Sequence, residues 1–137
     1  MADTLLLQVV SPERVLVEEQ ATEIQIPARD GFIGVLPGHA PLLSALMSGG
    51  VLTYRAEGRE KVLAVYGGFV EVLPDRVRVL ADNAEHKDEI NLDEAREKLR
   101  KALAAMSEDL HSEAIDPAVA VAEMVRAQAR LDAAMKQ

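Results

Sequence analysis

The chain has 137 residues, 28% of them charged, and a formal net charge of -8. That acidity, with aromatic residues at only 3% and no Trp, excludes a nucleic-acid partner, because phosphate binding rests on clustered Lys and Arg and base stacking on aromatic platforms. The absence of cysteine excludes a disulfide framework, a thiolate nucleophile and a thiolate metal site.

The opening MADTLLLQVVSPER has no basic segment, and its apolar run breaks at Gln8, Ser11 and Pro12, so a cytoplasmic chain without a signal peptide is expected. From Thr4 to about Asp82 apolar residues alternate with polar ones: Leu5, Leu7 and Val9 fall on one side, Ile24 and Ile26 alternate with Glu23 and Gln25, and Val77 and Val79 with Arg76 and Arg78. This is the pattern of half-buried antiparallel strands. Turn signals separate the runs at Ser11-Pro12, Arg29-Asp30-Gly31, Pro37-Gly38, Gly49-Gly50, Ala56-Glu57-Gly58, Gly67-Gly68 and Pro74-Asp75. Many short strands at this spacing predict two sheets packed face to face, since a single sheet would leave one apolar face wet.

The segment from Gly31 to Tyr54 contains no Asp, Glu, Lys or Arg, and a neutral window of that length first reads as a membrane span. Gly34, Pro37, Gly38, Pro41, Gly49 and Gly50 argue against one, because they would leave backbone groups unpaired in lipid. The window is read instead as short buried strands joined by tight turns, with a rim offered to partners.

Beyond Asp82 the period becomes helical. Leu92, Ala95, Leu99, Leu103, Met106 and Leu110 recur at steps of three and four, Asn91 and Glu94 have the spacing of a capping box, and Glu94 to Lys98 and Glu97 to Lys101 are favourable surface pairs. A first helix is predicted from about residue 92 to 110. The segment HSEAID interrupts it, and Asp116-Pro117 supplies an N-cap and a first-turn proline for a second helix. Ala118, Ala122, Val125, Ala129 and Ala133 form a small-residue stripe on that helix, beside the bulkier Val121, Met124, Leu131 and Met135. A short connection makes the two helices antiparallel neighbours. The hairpin buries little by itself, so it is either a permanent cap on the sandwich or an element that detaches. The class is therefore α+β: an antiparallel β-sandwich over residues 1–86, then an antiparallel two-helix hairpin over residues 87–137.

Catalytic chemistry finds no foothold. His39, His86 and His111 lie in three separate turn or boundary regions without ligand spacing, and no phosphate loop, dinucleotide fingerprint or nucleophile elbow occurs. Acidic residues near the start of the first helix, Asp88, Glu89, Asp93 and Glu94, suit the positive end of its macrodipole. Arg126 and Arg130, four apart beside the small-residue stripe, either grip carboxylates or phosphates across a seam or extend to solvent beside Glu123 and Asp132. A ligand-binding sandwich and an adaptor that presents a helical hairpin are both compatible with these features.

The stretches G-F-I-G-V-L-P-G-H-A-P-L-L (Gly31 to Leu43), G-G-F-V-E-V (Gly67 to Val72) and V-L-A-D-N-A-E (Val79 to Glu85) together resemble the epsilon subunit of the bacterial F-type ATP synthase, over essentially the whole chain. The resemblance implies a sandwich of about ten strands and two helices, in a non-catalytic subunit of the rotating central stalk. Its implied partners are the gamma subunit, the c-ring and the alpha/beta catalytic head. It would lie peripherally on the cytoplasmic face of the bacterial inner membrane as part of the complex, coupling proton flow to ATP synthesis. Through its hairpin, extended along gamma, it would restrain ATP hydrolysis.

By the same resemblance, the loop from Asp30 through His39, with Gly31, Phe32, Ile33 and Pro37, faces the c-ring. Gly67, Gly68 and Phe69 lie in the sandwich, where they serve either turn geometry or a gamma contact. No cofactor is required, but regulatory ATP is expected, since some relatives hold it through an Ile/Leu-Asp-x-x-Arg-Ala motif and helix-two arginines. Here Leu92-Asp93-Glu94-Ala95-Arg96-Glu97 keeps Asp93 and Arg96 while Glu97 replaces the final Ala. Glu85 falls where a ligand-contacting Glu precedes that motif, and Arg126 and Arg130 match the helix-two pair. Relatives are thought to brace the extended hairpin with basic residues, of which this second helix has only Arg126, Arg130 and Lys136.

Overall fold

The computed structural model describes residues 3–109 and 116–136. Ten strands precede a 3-10 turn and two helices: β1 (Leu5–Val10), β2 (Val15–Ala21), β3 (Glu23–Ala28), β4 (Gly31–Val35), β5 (Leu42–Ala45), β6 (Gly50–Ala56), β7 (Arg59–Val65), β8 (Gly68–Val72), β9 (Arg76–Ala81), β10 (Ala84–His86), the turn Lys87–Glu89, α1 (Leu92–Asp109) and α2 (Pro117–Met135). The strands form two five-stranded sheets, β2-β1-β9-β8-β5 and β10-β7-β6-β3-β4.

The alternation in the sequence sets which side chains meet between the sheets. Leu5, Leu7 and Val9 of β1, with Val70, Val72, Val77 and Val79, face Ile24, Ile26, Leu52, Leu63 and Val65 of the second sheet, and all are essentially solvent-free. The core is accordingly aliphatic, as the scarcity of aromatics requires. Tyr54 closes one side of it, and burial, with the nearby Glu19 carboxylate, raises its phenol to about 12.

One feature departs from the all-antiparallel expectation: β1 and β9 run parallel, with Leu7 beside Val77 and Val9 beside Val79. The first sheet joins two antiparallel pairs, β1–β2 and β8–β9, side by side. Alternation reports which face a residue occupies and is the same for either strand direction, so the parallel seam is not visible in it.

The neutral window supplies β4, β5 and most of β6. Val35, Leu46, Leu52 and Tyr54 enter the core, whereas Phe32, Leu36 and Leu43 remain 62%, 60% and 72% exposed. No described helix is long and apolar enough to cross a membrane.

The helices begin where their caps predict. Asn91 Oδ1 accepts from the Glu94 amide at 3.0 Å, and Asp116 accepts from the Ala118 amide at 2.9 Å with Pro117 following it. The reciprocal half of the expected capping box gives way, because the Glu94 carboxylate accepts from Lys98 at 3.1 Å and Arg130 at 3.2 Å. Charged donors outcompete a neutral amide. For the same reason Glu97 pairs with the Arg100 fork, at 2.6 and 3.1 Å, where Lys101 was the expected partner. Leu103, placed in the apolar stripe by spacing, is 49% exposed, and Ala118 at the start of the α2 stripe is also exposed. Leu110, His111 and the rest of the connection through Ile115 lie outside the described residues.

A clamp ties the linker between sandwich and hairpin to the β1–β2 turn. Arg14 donates two hydrogen bonds to Glu89, at 2.9 and 3.0 Å, Glu89 also accepts from the His86 amide at 2.9 Å, and the His86 ring meets the Leu16 carbonyl at 2.9 Å. The Arg14 hydrogen bond, then the His86 amide, hold the Glu89 carboxyl below its ordinary 4.5. A depressed carboxyl contributes above its unfolded value and loses that contribution as pH falls through its folded one. Hydrogen exchange at residues 86–90 is therefore expected to accelerate as pH drops below 4.5, after correction for intrinsic rates. Arg14→Ala should shrink that pH step to the part the His86 amide sustains, while leaving β8 and β9 protected.

Candidate functional site

The outer faces of the two sheets differ, and each creates one surface. On the first sheet the register aligns Val15 with Val10, Val10 with Leu80, Leu80 with Phe69 and Phe69 with Ala45. One apolar row thus crosses all five strands. Its largest members are open: Val15 at 61%, Phe69 at 58% and Leu80 at 49%. The adjoining row, Gln8, Arg78 and Glu71, is polar and ends at the exposed Leu43. A continuous exposed apolar stripe rimmed by polar residues is the composition of a docking surface.

On the second sheet the helices occupy the outer face. Val62, Ala64 and Tyr66 are buried beneath Ala129 and Ala133 of α2, with Val51 and Ile90 at the margin. This seam is thin, because an alanine brings a single methyl, and a buried group of that size contributes only about 0.8 kcal/mol.

A chain of polar contacts crosses beside it. The Tyr66 hydroxyl donates a short hydrogen bond to Glu85, Glu85 accepts from Arg130 Nε at 3.1 Å, and Arg130 reaches on to Glu94 at 3.2 Å. Sandwich, α2 and α1 are thereby linked through one guanidinium, whose side chain is only 15% exposed. Burial works to lower the Arg130 value, but Glu85 and then Glu94 outweigh it and raise it. Burial, then Glu85, push the Tyr66 phenol far up, so that hydroxyl stays a donor. The Glu94 carboxyl is held down by Lys98 first and Arg130 second.

Where the two helices and the sandwich edge converge lies a cleft of about 730 Å³, lined among others by Tyr66, Asp82, Glu85, Lys98, Lys101, Glu123, Arg126 and Arg130. Four cations face three carboxylates there, a local positive excess on a chain of net charge -8.

Of the residues singled out by sequence, Glu85, Arg126 and Arg130 come together in this cleft, whereas Asp93 and Arg96 are exposed and do not line it. Tyr66, Lys98 and Lys101 were not singled out. A signal for Tyr66 existed: Val62 to Tyr66 is an unbroken apolar run, the mark of a strand covered on both faces.

The segment from Asp30 to His39 is not one loop, because Gly31–Val35 is strand β4. Asp30 and Gly31 sit at the β3–β4 turn near Ala45, where the Arg29 amide donates to the Ala45 carbonyl at 2.9 Å. Phe32 and Ile33 lie along the strand, Phe32 exposed and Ile33 packed against the core. Pro37 and His39 lie at its opposite end, where the Gly38 amide donates to the Pro74 carbonyl at 2.8 Å. Gly67 and Gly68 have φ of +76 and +117, and a Cβ at Gly68 would collide with the Leu80 carbonyl. Backbone geometry accounts for both glycines, and Phe69 alone of that trio projects outward.

A two-sheet sandwich with an apolar stripe across one outer face and a helical hairpin on the other defines an assembly-type domain built for protein contacts. Residues 4–87 match the family model described as the ATP synthase delta/epsilon chain β-sandwich domain. The ATP synthase epsilon chain of Solibacter usitatus is 51% identical, with both chains covered in full, and that of Moorella thermoacetica is 41% identical, with 96% of each covered. The chain belongs to the ATP synthase epsilon chain family. A chain in the Euglena gracilis mitochondrial ATP synthase structure (OSCP/F1/c-ring) shares the fold at TM-score 0.78 and 23% identity, over 99% of this chain and 84% of that one.

Proposed function

We propose that this chain is a non-catalytic subunit of the central stalk of a proton-translocating ATP synthase, seated against the gamma subunit and the c-ring on the cytoplasmic face of a bacterial membrane. The likeness to a chain from the Tetrahymena thermophila ATP synthase "central stalk/cring" structure, at TM-score 0.62 and 11% identity, supports this through fold alone. The apolar row centred on Phe69 supports a gamma contact, and the exposed Leu36, next to the turn with Pro37 and His39, supports a c-ring contact there.

The hairpin is the regulatory element in this reading. The observation that carries it is the way α2 is seated: on the sandwich it is held by two buried alanines and one arginine-centred charge chain, while the main core lies wholly between the sheets. Such a contact opens without dismantling the sandwich. Released, the hairpin extends along gamma toward the alpha/beta head and restrains ATP hydrolysis; docked, it leaves the head free.

ATP in the cleft would favour the docked state by its preference for that state and no more. Lys101 and Arg126 would meet the phosphates, while Lys98 is already paired with Glu94 and Arg130 is shared with Glu85 and Glu94. Calorimetric titration of ATP into the full chain tests this. Arg126→Ala is expected to weaken binding about tenfold or more, and Arg96→Ala to weaken it less, since Arg96 lies off the cleft. Equal heats for wild type and both variants would rule out this site.

A further inference from the structure

One of the contacts between the sandwich and α2 is made by a residue with no side chain. Gly49 is buried in the β5–β6 connection, and a Cβ placed on it would stand 2.9 Å from the Val125 carbonyl oxygen, 3.0 Å from the Arg126 Cα and 3.1 Å from the Arg126 nitrogen. All three are backbone atoms of α2, so no rotamer change relieves the overlap. Gly49 does not carry a positive φ, so its own backbone accepts a side chain.

We propose that Gly49 is the steric seat of the hairpin, a position where an added side chain pushes α2 outward and weakens its docking while the sandwich stays folded. The adjoining glycine makes the contrast sharp. A Cβ on Gly50 would meet the Pro27 ring carbon at 2.5 Å, inside the sandwich, so substitution there burdens strands β3 and β6 themselves. Gly49 instead carries the only such close approach, among the described glycines, of an added Cβ to a helix backbone.

The same approach positions the two cations that α2 brings to the cleft. Arg126, whose backbone rests on Gly49, lines the cleft, and Arg130 one turn further along α2 meets Glu85. Docking at Gly49 and assembly of the cleft are therefore coupled, and a side chain at Gly49 displaces Arg126 and Arg130 from it without altering a charge. The regulatory consequence rests on the proposed inhibitory hairpin.

The test uses the full chain with Gly49→Ala and Gly49→Val, read by hydrogen exchange along α2 and along β1 and β9, then by ATP hydrolysis of the assembled complex. Exchange in α2 is expected to speed up roughly tenfold or more for Ala, and further for Val, with β1 and β9 unchanged. Unchanged α2 exchange in both variants, or equal acceleration in β1 and β9, overturns the proposal. If α2 is released as expected while hydrolysis is unaffected, the seat is upheld and the inhibitory reading of the hairpin fails.

Discussion

Replacing Phe69 by Glu is expected to abolish copurification with the gamma subunit while leaving the isolated chain folded. Phe69 stands in the middle of the apolar row, between Leu80 and Ala45 in register, and is 58% exposed. Its removal opens little cavity, so folding should tolerate the change. A carboxylate there would have to lose its water against an apolar partner surface, and central aromatic positions of interfaces cost 2 kcal/mol or more when lost, roughly thirtyfold or more in affinity. Leu80→Glu should act alike. Leu103→Glu is the control: Leu103 is also 49% exposed but lies on α1, away from the row. Gel filtration of each variant with gamma separates the cases, and retained assembly for Phe69→Glu would place the gamma contact elsewhere.

The second large effect is expected at Arg130. Arg130→Ala removes both bonds that join α2 to Glu85 and Glu94, and it leaves the Glu85 carboxylate, 25% exposed, with Tyr66 as its remaining hydrogen-bond donor. Truncating one member of a partly buried pair costs about 2 kcal/mol, most of it from the charge left behind. The solvent-exposed Glu94 contact adds little. Exchange in α2 should therefore accelerate by more than tenfold, and ATP binding should fall with it. Arg130→Lys should recover part of the docking, because it keeps the charge and loses the fork. Glu85→Gln combined with Arg130→Ala should be less damaging than the two single losses added together. Strict additivity would show that the pair does not act as a unit.

Periodicity carried the strands and both helix starts, because burial writes itself into alternation and Asn91 and Asp116 are caps that act within a few residues. The parallel β1–β9 seam was illegible, since Val77 and Val79 alternate identically in either direction. Local rules also misjudged Glu94 and Glu97, whose carboxylates go to charged donors, one of them on another helix. In the cleft, the Arg126 and Arg130 spacing was legible as a pair on one side of α2. That Arg130 is occupied by Glu85, while Arg96 stays in solvent, depends on how the hairpin seats on β6 and β7. The neutral window is the clearest case. It was read as buried strands with an offered rim, and Leu52 and Tyr54 do lie inside while Phe32, Leu36 and Leu43 stand exposed, yet nothing in its composition reveals that Gly49 abuts a helix more than seventy residues later.

The central claim is that the docked hairpin frees the catalytic head and the released one restrains it. Because the chain has no native cysteine, a single engineered pair across α2 and β6 can lock the docked state by oxidation. ATP hydrolysis of the assembled complex is then measured before and after reduction. Faster hydrolysis in the oxidised, locked form, falling on reduction, is the predicted result. Equal rates in the two states would contradict the account.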